Sequence, residues 1–270
     1  MGLEINSLNR ALGTQRMLAD AAAKMQRKQA QLAGGLRITG AKDDAAGLAI
    51  AETFRARILQ YTQEANNLQT GINVVQTADA ALGTQQEAVG RIRELALQAA
   101  NGALTDEQRS ALNQEAQALL GQIEDTARNT EFNGTRLLDG STGPIAVGTE
   151  GGEQIVINAG TINALGLNGL DLSTQTGAAD ALERLDNAAT ALDRNRAGLG
   201  AQQNRFEQAL AVRGTAAQNM QASESLIRDL DIAGAVIEQT RNQMRLMQGT
   251  FAQIQGNILP QAAAQLLGAR

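Results

Sequence analysis

The side chains best placed to do chemistry stand close together in the stretch GLRITGAKDDAAGLAIAE at residues 35–52. Arg37 and Lys42 precede two adjacent carboxylates, Asp43 and Asp44, which stand where a helical pattern begins. Carboxylates at that position can cap free backbone amides and favour the positive end of the helix dipole. The two basic side chains can pair with carboxylates on a neighbouring molecule. We therefore interpret the stretch either as a capped helix start after a linker or as a hinge.

Catalysis is disfavoured by the residue types that the chain lacks. It has no His and no Cys, which removes the commonest general base, the commonest metal ligand and every thiolate site. Carboxylates, Lys, Ser and Tyr remain, and Glu150 and Glu153 form a carboxylate pair in sequence only. We expect no enzyme, and therefore no catalytic, metal-binding or cofactor-binding residues and no cofactor.

The composition is that of close-packed helices rather than of a thick globular core. Of the 270 residues 43% are hydrophobic but only 2% are aromatic, and much of the apolar content is Ala. Only two prolines occur, so long stretches are free of the residue that most disrupts a helix interior. The net charge of −5 offers no electrostatic basis for binding nucleic acid.

No segment predicts a membrane span or a cleaved secretion signal. A run of about 18 apolar residues is missing, and the first residues, MGLEINSLNRALGTQR, lack an apolar secretory core. These features by themselves favour a cytoplasmic protein, and export without a cleaved signal is the alternative.

An apolar seven-residue repeat predicts a long coiled-coil helix. Every seventh residue from Phe54 to Ala96 is apolar or Tyr, and a companion series starts at Ala51 and becomes polar late. A helix from about residue 43 to residue 100 would be roughly 85 Å long. The polar end of the companion series indicates that the packing partner changes along this helix.

The segment NGALTDEQ ends this helix and begins another. Asn101-Gly102 interrupts the helical pattern. Thr105 and Gln108 then have the spacing of a capping box, in which each side chain satisfies a free amide at a helix start. The next helix is predicted over residues 106–129.

The central region, residues 130–176, is rich in Gly and predicts irregular structure with a small hairpin. Residues 145–149 and 153–158 have the pattern of short strands, and Glu150-Gly151-Gly152 would form the turn. Asn133-Gly134-Thr135 matches the glycosylation acceptor pattern, which we attribute to chance or to turn chemistry.

Helical spacing returns after Gly177, with an apolar series that begins at Leu185 and loses its phase after Ile227. A rotated series then continues to the end of the chain: Leu230, Ile237, Met244, Phe251 and Ile258. The rotation indicates a different packing partner, so we place a domain boundary near residues 228–231.

The N-terminal run has a similar but weaker stripe that stops at Gly34-Gly35. Each end of the chain thus predicts one amphipathic helix that cannot bury its apolar stripe alone. The two ends are expected to pair, and the apolar surface left over invites copies of the same chain.

Several separate blocks, in order along the chain, resemble the bacterial flagellins. The first blocks are LAGGLRITGAKDDAAGLAIAETF, GINVVQTADAALG, RIRELALQAANG and EFNGTRLLDG. The later blocks are LGAQQNRFEQAL and GTFAQIQGNILPQAAAQLL, which includes Pro260. The resemblance covers about residues 1–140 and 180–267.

The resemblance implies a mainly α fold of long coiled-coil helices with a small β-hairpin in the central part. In flagellins the terminal helices pair as an inner domain, D0, the middle forms a second domain, D1, and here no outer domain is expected. The implied domains are a D0 helix at residues 1–36, a hinge at 37–43, D1 at 44–229 and a C-terminal D0 helix at 230–270. Within D1 the implied parts are a long helix at 44–100, a helix at 106–129, the irregular and hairpin region at 130–176 and a helix at 178–229.

The resemblance also implies a function and a location. Flagellins are structural subunits that self-assemble into the filament of the bacterial flagellum, which drives swimming. They are exported unfolded through the flagellar type III apparatus, which would place this protein outside the cell and reverse the cytoplasmic expectation. The implied partners are further copies of the chain, sister flagellins, an export chaperone, and the filament cap and hook-associated proteins.

Three groups of residues would make the implied contacts. For the inner tube, the N-terminal stripe would face the C-terminal one, with Leu8, Leu12, Leu18 and Met25 against Ile237, Met244, Phe251 and Ile258. For polar contacts at the hinge, the residues are Arg37, Lys42, Asp43 and Asp44. Many flagellins with a segment similar to RIRELALQ are recognised by Toll-like receptor 5 of animals, and the matching positions here are Arg91, Leu95 and Glu115. An ordinary charged helix face is the alternative for this last group.

Two other interpretations stay open. A hook–filament junction protein has similar termini and would cap the hook rather than build the filament. A signalling coiled coil of the chemoreceptor type is also rich in Ala and Gln, but it requires one unbroken hairpin and usually a membrane span. The Gly-rich centre and the phase break near residue 230 speak against the signalling protein.

Overall fold

The computed structural model describes the backbone of residues 2–148 and 153–267 and the side chains of residues 12–148 and 153–255. The helices are α1 (Gly2–Gly34), α2 (Ala45–Ala99), α3 (Asp106–Asn129), α4 (Gln175–Arg228) and α5 (Ile232–Leu267). The strands are β1 (Glu131–Phe132), β2 (Thr135–Arg136), β3 (Ile145–Ala146) and β4 (Gln154–Ile155). The predicted class, mainly α with a small hairpin in the central part, is confirmed.

The chain divides into two compact units. The terminal unit comprises residues 1–58 and 218–270, and the central unit comprises residues 59–217. The terminal unit holds α1, α5, the linkers beside them and the adjoining ends of α2 and α4. The predicted hinge at residues 37–43 and the predicted boundary near residue 230 both lie inside it, and the assignment of D0 and D1 stays a prediction.

The core of the central unit follows the seams that the seven-residue repeats predict. The buried members of the α2 and α4 seams are Leu68, Val75, Leu82, Val89, Ala96, Leu185, Leu192, Leu199 and Phe206. Helix α3 adds Ala116, Leu120, Ile123 and Ala127 to the same core. The Val, Leu, Ile and Phe side chains among them each contribute about 1.5–3 kcal/mol when they are fully removed from water.

Where the companion series of α2 becomes polar, its side chains bridge to α4. Asp79 accepts a hydrogen bond from Arg196 Nε at 2.9 Å, and Arg93 Nε donates to Asp186 at 2.7 Å. Gln86 accepts from the same Arg196 at 2.8 Å. The change from apolar to polar residues therefore marks a change from buried packing to polar bridges between the same two helices.

One ion pair interrupts the apolar seam of α4. Arg213 Nε lies 2.6 Å from a carboxylate oxygen of Glu64, whose side chain is 7% exposed. Gln60 donates to the other oxygen of Glu64 at 2.9 Å, and the Arg213 guanidinium lies 5.9 Å from the centre of the Tyr61 ring. A buried charge that lost its partner would be costly, so this pair favours a single register of α4 on α2.

Polar side chains hold the connection between α2 and α3. Thr105 accepts from the Gln108 N–H at 3.3 Å, and the Gln108 side chain accepts from the Thr105 N–H at 2.9 Å. The predicted capping box is thus confirmed. The buried Arg109 guanidinium donates to the carbonyls of Ala99 and Asn101, at 3.0 and 3.1 Å, which satisfies acceptors that the end of α2 leaves without helical partners.

Two short hairpins occupy the central region. Strands β1 and β2 pair across Asn133 and Gly134, whose φ angles of 49° and 78° are those of a type I′ turn. The Asn-Gly-Thr match therefore has a structural reason in turn chemistry. This hairpin was not predicted, because its strands have only two residues each and show no alternating pattern.

The second hairpin pairs Ile145 with Ile155 and Ala146 with Gln154. Its strands lie inside the predicted ranges but are shorter, and the predicted turn, Glu150-Gly151-Gly152, lies outside the described residues. The Gln202 side chain from α4 accepts from the Val156 N–H at 2.9 Å and donates to the Val156 carbonyl at 3.0 Å. An amide side chain thus takes the place of a neighbouring strand beside β4.

The capping box yields a prediction about stability. We expect Thr105→Ala to lower the free energy of unfolding by about 1 kcal/mol, because the Gln108 N–H then loses its acceptor. The measurement is urea unfolding of the monomer followed by circular dichroism. Ser110→Ala, an exposed change on the same helix, is the control and should cost less. An equal loss in both variants would contradict a role for the cap.

Candidate assembly surfaces

The turn that ends α1 also starts the first linker. The Leu36 N–H donates to the Gln31 carbonyl at 3.2 Å across Gly35, whose φ is 66°. The Gln31 side chain donates to the Arg37 carbonyl at 2.6 Å. The next residue, Ile38, is buried. The linker is therefore held by hydrogen bonds to the end of α1 and by its own apolar anchor.

The two linkers of the terminal unit pair with each other through their backbones. The contacts are the Arg37 N–H to the Arg228 carbonyl at 2.7 Å, the Leu230 N–H to the Gly35 carbonyl at 3.0 Å, and an antiparallel bridge between Leu36 and Asp229. We call residues 35–37 and 228–230 the linker clip. It holds the C-terminal end of α1 beside the N-terminal end of α5.

Two Arg side chains reinforce the linker clip. Arg37 Nη2 donates to the Ile227 carbonyl at 2.5 Å, so the guanidinium that we expected to pair with a neighbouring molecule contacts its own chain. Arg228, which was not predicted as a contact residue, lies 3.4 Å from a Glu52 oxygen and 3.6 Å from a Glu224 oxygen. Glu224 and Arg228 are four residues apart on one helix, and this spacing in the sequence could have predicted their ion pair.

Acidic residues cap the two helices that follow the linkers. Asp44 accepts from the Gly47 N–H at 2.8 Å, which confirms its predicted capping of α2. Asp231 accepts from the Gly234 N–H at 3.2 Å at the start of α5. An acidic residue directly before a helical pattern is a signal for such a cap, although Asp231 was predicted only as part of a domain boundary. Lys42, the fourth predicted hinge residue, is exposed.

Asp43 stabilises the linker rather than the helix start, which corrects the prediction. It accepts from the Thr39 hydroxyl at 2.6 Å and from the Thr39 N–H at 3.1 Å. Its carboxylate also lies 3.9 Å from Arg27 Nε. The Thr39 hydroxyl is the main reason that the pKa of Asp43 is lowered from 3.8, followed by the Thr39 amide.

Helix α5 turns a face of small and polar residues towards α1. Ala235 and Asn242 are buried on this face. Gly249 lies against Leu18, and a Cβ atom at this position would come within 2.9 Å of a Leu18 methyl carbon. Steps of seven residues keep these three positions on one side of the helix. The absence of a side chain at Gly249 therefore leaves room for the Leu18 side chain in the contact between the two helices.

An ion pair crosses the same contact. Lys28 Nζ lies 2.5 Å from a Glu238 oxygen. The pair lowers the pKa of Glu238 from its usual 4.5, chiefly through the hydrogen bond from Lys28. The contribution of this exposed pair is to select the register of α1 on α5 rather than to add much stability.

The predicted orientation of α5 is wrong within a single chain. Ile237, Met244 and Phe251 follow the contact residues 235, 242 and 249 by two positions, which is about 200° around a helix. They therefore point away from α1. The physical reason is that Ala235, Asn242 and Gly249 occupy the face of α5 that packs on α1, with the Leu18 side chain of α1 lying against Gly249.

An apolar stripe on α5 is consequently exposed. Its described members are between 47% and 70% exposed: Val236, Ile237, Met244, Met247, Phe251 and Ile254. We call these six residues the α5 stripe. A contiguous apolar surface of this kind marks a site of interaction with another molecule.

The N-terminal members of the predicted inner tube take different positions. Leu18 and Met25 are half-buried, whereas Leu12 is 45% exposed. Met17, which we did not predict, is 74% exposed. The side chains of Leu8 and Ile258 lie outside the described residues.

The proposed receptor positions do not all lie on the surface. Arg91 donates to Glu115 at 2.9 Å and to Glu94 at 2.9 Å, and both carboxylates raise its pKa. Leu95 is only 2% exposed, which corrects its inclusion in a receptor surface. It belongs to the core of the central unit, because it follows Ile92 and precedes Ala99 on the buried side of α2.

The Asp43 contact yields a prediction about pH. Because its pKa is lower in the folded chain, Asp43 stabilises the fold above pH 3.8, and this contribution is lost as the pH falls through the lower folded value. We expect Thr39→Ala, which removes the hydroxyl, to move the Asp43 pKa back towards 3.8. An NMR titration of the Asp43 carboxyl carbon measures it. The pKa of Asp139 serves as the reference, and a variant that leaves the Asp43 pKa unchanged would exclude Thr39 as the cause.

Two family models match most of the chain. The model described as the bacterial flagellin N-terminal helical region matches residues 5–142, and the bacterial flagellin C-terminal helical region matches residues 182–267. Among the described residues, no helix combines the length and the apolar character needed to cross a membrane.

Known proteins are similar over nearly the whole chain. A flagellin from Halalkalibacterium halodurans is 38% identical over 249 residues, which is 90% of this chain and 91% of that protein. The flagellar filament 30.7 kDa core protein of Treponema maltophilum is 33% identical over 282 residues, which is 97% of this chain and 99% of that protein.

A solved structure shares the fold at much lower identity. A putative flagellar hook-associated protein from Vibrio parahaemolyticus matches with a TM-score of 0.59 over 69% of this chain and 99% of that chain, at 14% identity. This likeness concerns the fold alone. The family models at both ends, together with the relatives above 30% identity, show that the chain belongs to the bacterial flagellin family.

Proposed function

We propose that this chain is a structural subunit that self-assembles into the bacterial flagellar filament. The observation that carries the proposal is the α5 stripe, which points away from its partner helix within the chain. Relatives that match nearly the whole chain are named flagellar filament core proteins, which supports the same function. The filament lies outside the cell, and swimming motility follows from its rotation.

The α5 stripe supplies an energetic reason for assembly. Six large apolar side chains, each about half exposed or more, would each contribute about 1 kcal/mol if neighbouring copies covered them. Helix α1 of the same chain does not cover them, because it packs on the side of α5 that carries Ala235, Asn242 and Gly249. Further copies of the chain would remove this surface from water.

The finer parts of the proposal extend the family's organisation to this chain. Residues 1–36 and 230–270 would form D0, residues 44–229 would form D1, and residues 37–43 would join them. Leu12, Leu18 and Met25 would lie in the inner tube with the α5 stripe. The subunit would be exported through the type III apparatus with the help of an export chaperone. Its later partners would be the filament cap and the hook-associated proteins.

The hook–filament junction protein is the less favoured alternative. The similar hook-associated protein shares only 14% of its residues with this chain, so it supports a common fold and no common function. Relatives of at least 30% identity include proteins named flagellin or flagellar filament core protein.

The α5 stripe can be tested by removing its apolar side chains. We expect the combined substitutions Ile237→Ser, Met244→Ser and Phe251→Ser to abolish filaments at concentrations at which the unchanged protein polymerises. A loss of about 1 kcal/mol per residue would raise the critical concentration by more than about a hundredfold. Electron microscopy and sedimentation after seeding measure the effect.

The control variant introduces Ser on the same helix, but at polar positions. Gln243→Ser and Thr250→Ser lie on the same helix and remove no apolar side chain. This variant should polymerise normally. Filaments of normal yield from the triple variant would show that the α5 stripe is not an assembly surface.

We also propose that Arg91 and Glu115 contribute to a surface recognised by Toll-like receptor 5. Both side chains are exposed and hydrogen-bonded to each other, so they present a fixed charged pair. Loss of one charged hydrogen bond should reduce receptor signalling about tenfold in Arg91→Ala. A reporter-cell assay with purified monomer measures it.

The matched control for the receptor assay is Arg93→Ala. Arg93 is also exposed and forms a comparable ion pair, with Asp186 at 2.7 Å. Signalling that is absent from the unchanged protein, or that falls equally in both variants, would contradict the proposed surface.

A further inference from the structure

The two terminal helices are basic although the whole chain is acidic. Residues 12–34 of α1 and 232–255 of α5 carry six basic and two acidic side chains, a net charge of +4, whereas the chain carries −5. One of the two acidic side chains, Glu238, is paired with Lys28 across the helix contact. The exposed charge of this part of the molecule is therefore predominantly positive.

Basic side chains lie directly beside the α5 stripe. Viewed along the helix axis, Arg241 lies about 40° and Arg245 about 80° from Ile237. Both Arg residues lie between the α5 stripe and the face that packs on α1. Lys24 and Met17 of α1 line a groove with Arg245. Asp20 lines it as well and is the acidic exception. One side of the α1–α5 pair thus combines exposed apolar side chains with a row of cations.

This combination fits the boundary of a lipid bilayer. A helix with an apolar face and flanking Arg or Lys lies in the plane of the interface, with its apolar side chains among the acyl chains and its cations on anionic headgroups. The α5 stripe extends from residue 236 to residue 254, about 27 Å along the helix, and includes Phe251. Charge complementarity selects an anionic lipid surface rather than a neutral one.

We propose that the unassembled subunit binds anionic phospholipid bilayers through the α5 stripe together with Arg241, Arg245 and Lys24. Binding is peripheral, since the helix lies on the surface and does not cross it. The same apolar side chains cannot face lipid and neighbouring subunits at once, so lipid binding and polymerisation compete. The α5 stripe would thus contact lipid before assembly and neighbouring subunits after it.

The test is vesicle flotation with freshly depolymerised, full-length protein, because vesicles rise in a density gradient whereas filaments sink. We expect the protein to float with phosphatidylcholine vesicles that contain about one quarter phosphatidylglycerol and not with phosphatidylcholine alone. Binding should weaken as salt is raised from about 0.01 to about 0.15 M. Equal flotation with neutral vesicles, or no flotation with anionic ones, would overturn the proposal.

Two variants assign the binding to this face. Arg241→Gln with Arg245→Gln should weaken binding about 30-fold, at about fivefold for each charge near the surface. Met244→Ser with Phe251→Ser should also weaken it, because the apolar insertion is lost. The control, Arg194→Gln with Arg205→Gln, removes the same charge from exposed positions of α4 and should bind normally.

Retained binding in either test variant, or an equal loss in the control, would show that this face does not bind lipid. Polymerisation in lipid-free buffer is measured in parallel on the same preparations. A subunit that polymerises but does not float disproves only the lipid proposal, and one that floats but does not polymerise disproves only the proposed function.

Discussion

The close contact between α1 and α5 constrains everything that the terminal unit can do. Leu18 lies against Gly249 where a Cβ atom would otherwise be, and the buried Ala235 and Asn242 continue the same face. The large apolar side chains of α5 lie on another side of the helix and are exposed. A helix pair that meets along small and polar residues leaves its large apolar side chains, its main source of hydrophobic free energy, for another molecule.

The linker clip places the two helices for that contact. Arg37 bonds to a carbonyl 190 residues later in the chain, and the backbones of the two linkers pair beside it. Helix α1 ends and α5 begins at this clip, so the clip sets the register of one helix on the other. The ion pair between Lys28 and Glu238 supports the same register further along the helices. The two ends of the chain consequently present one joint surface rather than two separate helices.

Local features were predictable, because each depends on neighbouring residues alone. The capping box at Thr105, the cap at Asp44 and the buried seams of α2 and α4 all follow from spacing along one helix. Contacts between residues far apart in sequence were not predictable in this way. The prediction did not specify the contact of Arg37 with a backbone carbonyl of its own chain, and it was wrong for Leu95, which is buried in the core although Arg91 is exposed.

The sequence by itself determined the helices, their ends, the existence of an apolar stripe at each terminus and the resemblance to flagellins. Only the tertiary structure decided which side of α5 faces α1. A seven-residue repeat defines the faces of a helix but carries no information on which face meets the next helix, and here Gly249 rather than Phe251 lies at the contact. Hydrophobic periodicity predicts that a face will be buried, whereas the packing geometry decides whether its partner is in the same chain or in another.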